Sequence, residues 1–358
     1  MPVAGHDAGT PSFSIIDISD TITPGNNYVG GVLLPNGKVV FVPRTADRVG
    51  LFDPATNKFA TVGADIPVAV SGDYKYAGGV LLPNGQVVFV PLGAASVMVF
   101  DPATNTSTTV GPTIGGGSYK YLGGVLLPNG QVVFVPAKED NVGLFDPATA
   151  AFTTVDISST SSKDAKYSGG LLLPSGKVVF APRDADNVGV FDPATNEFTT
   201  VDISAAISGD EKFGGVVLLP SGKVVFVPRG ADRAGIFDPA TNEFTVVADT
   251  ISGSTKRYMG GVLLPSGKVV FVPSEYSSVG IFDPGTNAFT TLDISAFGTS
   301  GGEYFGGVLL PSGRVVFVPD TADTVGMFDP GSAAPAYTVE GGVPDAWRPL
   351  LSPHFNKF

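Results

Sequence analysis

The chain contains no cysteine, two histidines and one tryptophan. Without cysteine there is no disulfide, no thiol nucleophile and no thiolate metal site. The histidines, His6 and His354, lie near the two ends, which excludes a Ser-His-Asp triad, a histidine-ligated metal and a histidine general base from everything between them. Trp347 is also close to the C-terminus, so tryptophan stacking on sugars is not expected in the body of the chain. Charge is sparse, at 15% of residues, and the balance is acidic, with a net charge of -12. An acidic chain without a basic block does not suit nucleic acid, where phosphate neutralisation dominates affinity, or an anionic membrane surface. No apolar run approaches the ~20 residues that span a bilayer, and the opening MPVAGHDAGTPS lacks the charged and apolar regions of a signal peptide. A soluble protein of unknown compartment is expected, with no cofactor and no metal.

What the chain has instead is repetition. Residues 30–42 read GGVLLPNGKVVFV, and the stretch returns another six times, anchored on Pro35, Pro83, Pro128, Pro174, Pro220, Pro265 and Pro311. The spacings of 48, 45, 46, 46, 45 and 46 residues leave no room for a linker. Each copy carries four strand signals, in the first copy 28–34, 38–42, 49–52 and 59–62, and none has a helical apolar period. Pro-Asn-Gly or Pro-Ser-Gly marks the first hairpin, because Asn and Gly tolerate positive φ. Asp-Pro-Ala-Thr-Asn marks the second, with Asp able to cap a turn through its own side chain. Val39-Val40-Phe41-Val42 is apolar at every position, so both faces of that strand are buried. An antiparallel sheet buries both faces when it is sandwiched between two like it.

The pattern therefore predicts an all-β fold, a seven-bladed β-propeller of four-stranded antiparallel blades. The segment 13–19, FSIIDIS, matches the fourth-strand motif FTTVDIS of 152–158 and precedes any blade of its own. It is expected to pair into the last blade and close the ring, in preference to Tyr337-Thr338-Val339. The expected organisation is an N-terminal tail over 1–11, one propeller domain over 12–342 and an apolar tail over 343–358. Trp347, Leu350, Leu351 and Phe355 of that tail would dock on the ring, or would serve as a partner-binding peptide.

The third strand ending in FDPATN, followed by Phe59-Ala60-Thr61-Val62, resembles the kelch and galactose-oxidase-like propeller repeats. The chain departs from them where Val42-Pro43 replaces the double glycine after their second strand. The GGVL-P-NG-K-V-FVP repeat is more similar to uncharacterised multicopy propeller proteins of bacteria and algae. The resemblance implies the fold and little about activity. The histidines and the Tyr-Cys crosslink used by propeller lyases and copper oxidases of this architecture have no counterpart here.

Loops in such a blade alternate between two faces. The Asn-Gly and Asp-Pro turns share one face, where Asp53, Asp101, Asp146, Asp192, Asp238, Asp283 and Asp329 each cap a turn or form a calcium series, the capping reading being favoured because one carboxylate per blade makes no cage. The other face varies, and function is sought there. The aromatics Tyr28, Tyr76, Tyr121, Tyr167, Phe213, Tyr258 and Tyr304 stand seven residues before each anchoring proline. Just before them come Asn27, Lys75, Lys120, Lys166, Lys212, Arg257 and Glu303. In a ring these form a cationic, aromatic rim suited to an anionic carbohydrate or a carboxylate-bearing protein partner, or else tyrosines packed between blades beneath solvated lysines. The loop after Val-Pro adds Arg44, Arg183 and Arg229 at one repeat position and Asp47, Asp186, Asp232 and Asp323 at another, as ligand contacts or as salt bridges. Adjacent acids such as Glu139/Asp140 or Asp184/Asp186 carry no catalytic spacing. Val216 replaces the second glycine in the fifth copy and is expected to press on the axis or enter the channel.

Three readings follow: a monomeric, non-catalytic binding scaffold using this face; a polysaccharide lyase or glycosidase using Tyr, Lys, Arg or Asp there; and a purely structural or consensus-designed repeat.

Overall fold

The computed structural model describes residues 9–22, 25, 27–66, 74–115, 117–161, 163–247, 251, 256–298 and 303–331. The C-terminal tail, the strand candidate at Tyr337-Thr338-Val339 and both histidines lie outside these residues. Strand β1 (Ser12–Asp17) is followed by the first blade, formed by β2 (Tyr28–Leu33), β3 (Val39–Pro43), β4 (Val49–Asp53) and β5 (Lys58–Val62). The same order repeats to β28 (Thr324–Asp329), making seven four-stranded antiparallel sheets. The innermost strands of the later blades are β6 (Tyr76–Leu81), β10 (Tyr121–Leu126), β14 (Tyr167–Leu172), β18 (Phe213–Leu218), β22 (Tyr258–Leu263) and β26 (Tyr304–Leu309). Each packs against the innermost strands of both neighbours, including β26 against β2. The fold is the expected propeller. No helix among the described residues is long and apolar enough to cross a membrane.

The N-terminal strand closes the ring. β1 pairs antiparallel with β28, from Ser12 opposite Asp329 to Asp17 opposite Thr324. The last sheet therefore runs β1-β28-β27-β26, with β27 spanning Val315–Pro319. This pairing removes the exposed edge that an open array would leave. Burial falls outward along each blade. Every residue of Val39–Pro43 is buried, whereas Lys58–Val62 at the outer edge alternates between exposed and half-buried.

The glycine pair serves two separate needs. Gly30 has φ 81°, at a bulge where the register jumps from Tyr28↔Pro43 to Gly31↔Phe41. Gly31 lies against the preceding blade, where an added Cβ would come within 2.6 Å of Val308 Cγ2 and 2.9 Å of Val318 Cγ2. Space at this blade-to-blade contact is tight, and the fifth copy shows how a bulkier residue is accommodated. Val216 does not enter the channel. It is 3% exposed and packs between the fourth and fifth blades with Leu171 and Ala181. Ala181 stands where every other copy has valine, the residue whose Cγ2 abuts the glycine at the first contact. Valine on one side has given up two methyls, and the glycine on the other has gained an isopropyl group, so the bulk has changed sides with a net gain of one carbon.

A second exchange lies inside the second blade. Elsewhere a fourth-strand phenylalanine covers a third-strand glycine, as Phe59 covers Gly50, and β1 supplies Phe13 over Gly326 in the last blade. In the second blade Met98 replaces the glycine and Ser107 the phenylalanine. Met98 is buried against the cluster holding Tyr76 and Phe89.

Ala181→Val alone should overpack the interface and cost about 1–3 kcal/mol. Combining it with Val216→Gly, which restores the common pattern, should recover stability, giving a coupling of about 1 kcal/mol or more in urea unfolding. Strictly additive effects would show that the two positions do not share one volume.

Candidate functional site

Two loops per blade meet at one end of the axis, and a belt of backbone hydrogen bonds holds them together. The amide of the residue before each first strand donates to the carbonyl after Val-Pro in the preceding blade. These bonds run from Lys75 to Arg44, Lys120 to Leu92, Lys166 to Ala137, Lys212 to Arg183, Arg257 to Arg229, Glu303 to Ser274, and Asn27 to Asp320, at 2.6–3.2 Å. Within each blade the amide after Val-Pro donates back, as Arg44 does to Asn27 and Arg183 to Lys166. The belt passes through all seven blades and fixes which side chains line the mouth.

The structure separates the residues read as a rim. Tyr28, Tyr76, Tyr121, Tyr167, Tyr258 and Tyr304 are buried in the blades, where their rings pack on second-strand phenylalanines such as Phe41 and Phe134. Burial pushes these phenols above their ordinary value. Lys75, Lys120, Lys166, Lys212 and Arg257 are buried too, and they are not solvated. The Lys75 ammonium donates to the carbonyls of Thr45 and Ala46 and to Asp47 in the preceding blade. Lys166 reaches the Lys138 carbonyl and Asp140, Lys212 reaches the Asp184 carbonyl and Asp186, and Arg257 reaches the carbonyls of Gly230 and Ala231. Lys120 donates to Gly117. The basic position ties loops together, and the acids read as possible ligand contacts are among its partners.

Arg44, Arg183 and Arg229 stand elsewhere. They line a cavity of about 320 Å³ at the mouth, together with Tyr74, Tyr119, Glu211, Lys256, Glu275 and Asp320. Its apolar lining comes from Val29, Leu92, Leu122 and Phe305. Arg44 holds Asp320 through two bonds of 3.0 and 3.1 Å, lies 4.0 Å over the Tyr74 ring and donates to the Tyr119 hydroxyl. Glu211 Oε1 is shared between Arg183 at 2.7 Å and Arg229 at 3.2 Å. Lys256 faces Glu275 at 3.3 Å. Among the described residues, four cationic side chains meet three anionic ones in this cavity.

The electrostatics follow from that arrangement. Burial alone would raise the Glu211 carboxyl, but Arg229 and Arg183 outweigh it and hold it below the usual range. Burial, then Arg183, lowers the Arg229 guanidinium. Burial pushes the Asp320 carboxyl up to about 6, against the opposing pull of Arg44 and, more weakly, Arg229.

Tyr74, Tyr119, Glu211 and Lys256 were not among the residues expected from sequence. They share one repeat position, nine residues before the anchoring proline, whose other occupants are Asn26, Ala165 and Gly302. Variation was the signal. The next position is basic in five of seven copies, and that uniformity marks a structural role. Backbone strain points to the same position. Among the described residues, the non-glycine residues with positive φ are Tyr119 and Glu211, at 64° and 53°, together with the repeated second-hairpin residue such as Asn57 or Ala150. A bulky residue held there usually signals a functional constraint.

On the opposite face each aspartate of the Asp-Pro turns accepts from its own turn, as Asp53 does from Ala55 and Asp192 from Ala194. A larger cavity there, of about 580 Å³, is built from the repeated turns, including Pro220, Ser221, Asp283 and Pro284.

No family model and no curated protein matches the sequence. Solved structures share the shape. Streptogramin B lyase superposes with a TM-score of 0.71 at 14% identity, covering 90% of this chain and 99% of its own. A catalytically inactive histidine-to-alanine variant of virginiamycin B lyase from Staphylococcus aureus, with quinupristin, gives 0.71 at 15% identity over 89% and 99%. An extracellular domain from B. thetaiotaomicron, assigned to a hybrid two component system, gives 0.68 at 13% identity over 91% of this chain and 44% of its own. At these identities the likeness concerns the fold alone.

Lys212→Met, which leaves the Asp184 and Gly209 carbonyls without their charged donor, should cost about 1.5–3 kcal/mol. An unchanged urea midpoint would mean that the ammonium is dispensable to the ring. For Asp320 the folded value of about 6 lies above the ordinary 3.8, so the folded protein binds this proton more tightly than the unfolded chain. Its contribution favours folding fully below about pH 4 and is lost as pH rises through about 6. Between pH 5 and 7 the stability of Asp320→Asn should therefore rise relative to the parent by about 1 kcal/mol. A pH-independent difference would show that Arg44 keeps Asp320 ionised throughout.

Proposed function

We propose that the chain is a non-catalytic binding module that takes a small anionic ligand, or an acidic group presented by a carbohydrate or protein partner, in the mouth cavity. The observation that carries this reading is the surplus of cationic over anionic side chains in the mouth cavity of a chain whose net charge is -12. Its chemistry is that of recognition: Arg183 and Arg229 share a single carboxylate, so donor capacity exceeds what Glu211 alone uses. An incoming carboxylate, sulfate or phosphate would gain charge-assisted hydrogen bonds from these guanidiniums. Solved structures of the same shape include lyases and an extracellular domain of a hybrid two component system, so the fold itself does not decide between catalysis and binding. A kinship to kelch repeats is part of this proposal and is supported by the FDPATN-x-F portion alone.

The lyase or glycosidase reading has less support. Burial disfavours ionisation of the blade tyrosines that would act as bases, and Tyr74 at the mouth is also raised, by burial first. The acids of the cavity are engaged with arginine or lysine.

Titration calorimetry at low ionic strength with galacturonate, glucuronate and sulfate tests the reading. At least one anion should bind, more tightly at pH 5.5 than at pH 7.5 as Asp320 takes up its proton at about 6, and Arg229→Met should weaken it by about 1.5–3 kcal/mol. Absence of binding by any anion favours a purely structural repeat, and new chain ends released from an acidic polysaccharide would contradict the non-catalytic reading.

A further inference from the structure

The cavity is not uniform around its rim, and this asymmetry constrains the ligand more narrowly than charge does. The second and third blades contribute Tyr74, Tyr119, Leu92 and Leu122, whereas the fourth to sixth contribute Arg183, Glu211, Arg229, Lys256 and Glu275. Tyr74 and Tyr119 meet edge to face, with centroids 5.4 Å apart and planes at 81°. Arg44 lies on one face of Tyr74 and bonds the Tyr119 hydroxyl, so the two rings are fixed before any ligand arrives. Tyr119 holds this place at φ 64°, a conformation that a bulky side chain adopts at a cost in stability. In the charged arc, Arg183 and Arg229 converge on one oxygen of Glu211, at 2.7 and 3.2 Å. The volume of about 320 Å³ lies at the small end of the ~300–1,000 Å³ typical of small-molecule sites, which suits one or two rings and not an extended polysaccharide.

Building on the anion-binding reading, we infer that the cavity selects a planar aromatic carboxylate. Its ring packs against Tyr74, Tyr119 and the apolar floor, while its carboxylate joins Glu211 on the Arg183–Arg229 pair. The aromatic arc favours a flat π-face over a saturated ring of similar size, and the charged arc favours the acid over its amide.

Four probes separate these requirements in calorimetric titrations of the full chain near pH 6: 2-naphthoate, its fully saturated carboxylate analogue, 2-naphthamide and galacturonate. The inference expects 2-naphthoate to bind at least about ten-fold more tightly than each of the others. Tyr74→Leu should reduce the preference for the flat over the saturated acid. Arg229→Met should reduce the preference for acid over amide, with circular dichroism confirming that both variants remain folded. The ranking of probes on the parent protein stands as a test even if a variant unfolds. Equal or tighter binding of galacturonate or of the saturated acid overturns the aromatic inference and leaves anion binding intact. Equal binding of 2-naphthamide, or no binding by any acid, overturns both.

Discussion

The belt of backbone hydrogen bonds at the axial mouth is the constraint on which the rest of the architecture depends. Each blade receives a bond from the next, and the bond from Asn27 to Asp320 carries the belt across the junction of first and last blades. Because carbonyls and amides are obligatory partners, the loops that form the belt have little freedom in where their side chains point. The residue after Val-Pro faces the cavity in several copies, and the basic residue before the first strand turns back beneath the preceding loop. A ligand site built on this belt inherits its rigidity, and preorganised donors lose less on binding than donors on free loops.

Packing between blades adds a second constraint, that of constant volume. Copies resemble one another because each interface must be filled in the same way, and the two departures within the core compensate themselves. Ala181 with Val216, and Met98 with Ser107, shift bulk across a contact and hold its sum to within one heavy atom. Phe13 completes the same pattern from the far end of the chain, so closure of the ring and the filling of the last blade are one event. A chain constrained this tightly varies mainly at exposed positions, such as Lys58, Thr106 and Ala151 of the outer strands, and at the mouth.

This explains what the sequence could and could not convey. Periodicity, hairpin residues and the unpaired FSIIDIS segment carry the blade count, the strand order and the closure, because those depend on local pattern. The site was legible only in part. Arg44, Arg183 and Arg229 are legible as charges at one repeat position in the loop after Val-Pro, and they line the cavity. The tyrosines and lysines before the first strand stand out in the sequence by type, and the structure puts them to use inside and between blades. Uniformity across copies is itself a packing signature, and it applies to the lysines as much as to the tyrosines. Applied to both, it would have moved attention one residue upstream, to Tyr74, Tyr119, Glu211 and Lys256. Which loops meet across the axis, such as Arg44 of the first blade with Tyr119 of the third, depends on ring geometry that no local pattern encodes.

Tyr119 brings the structural and functional sides of the account together. A residue selected for stability would not be a tyrosine at positive φ, since glycine occupies that region without strain. The central claim, that the mouth position is held for recognition and not for the fold, is tested most directly by the thermal midpoint of Tyr119→Gly. The account predicts a midpoint equal to or above that of the parent, because relief of strain offsets the loss of ring contacts with Tyr74. A fall of several degrees, equivalent to about 2 kcal/mol or more, would show that Tyr119 is part of the scaffold and would contradict the account.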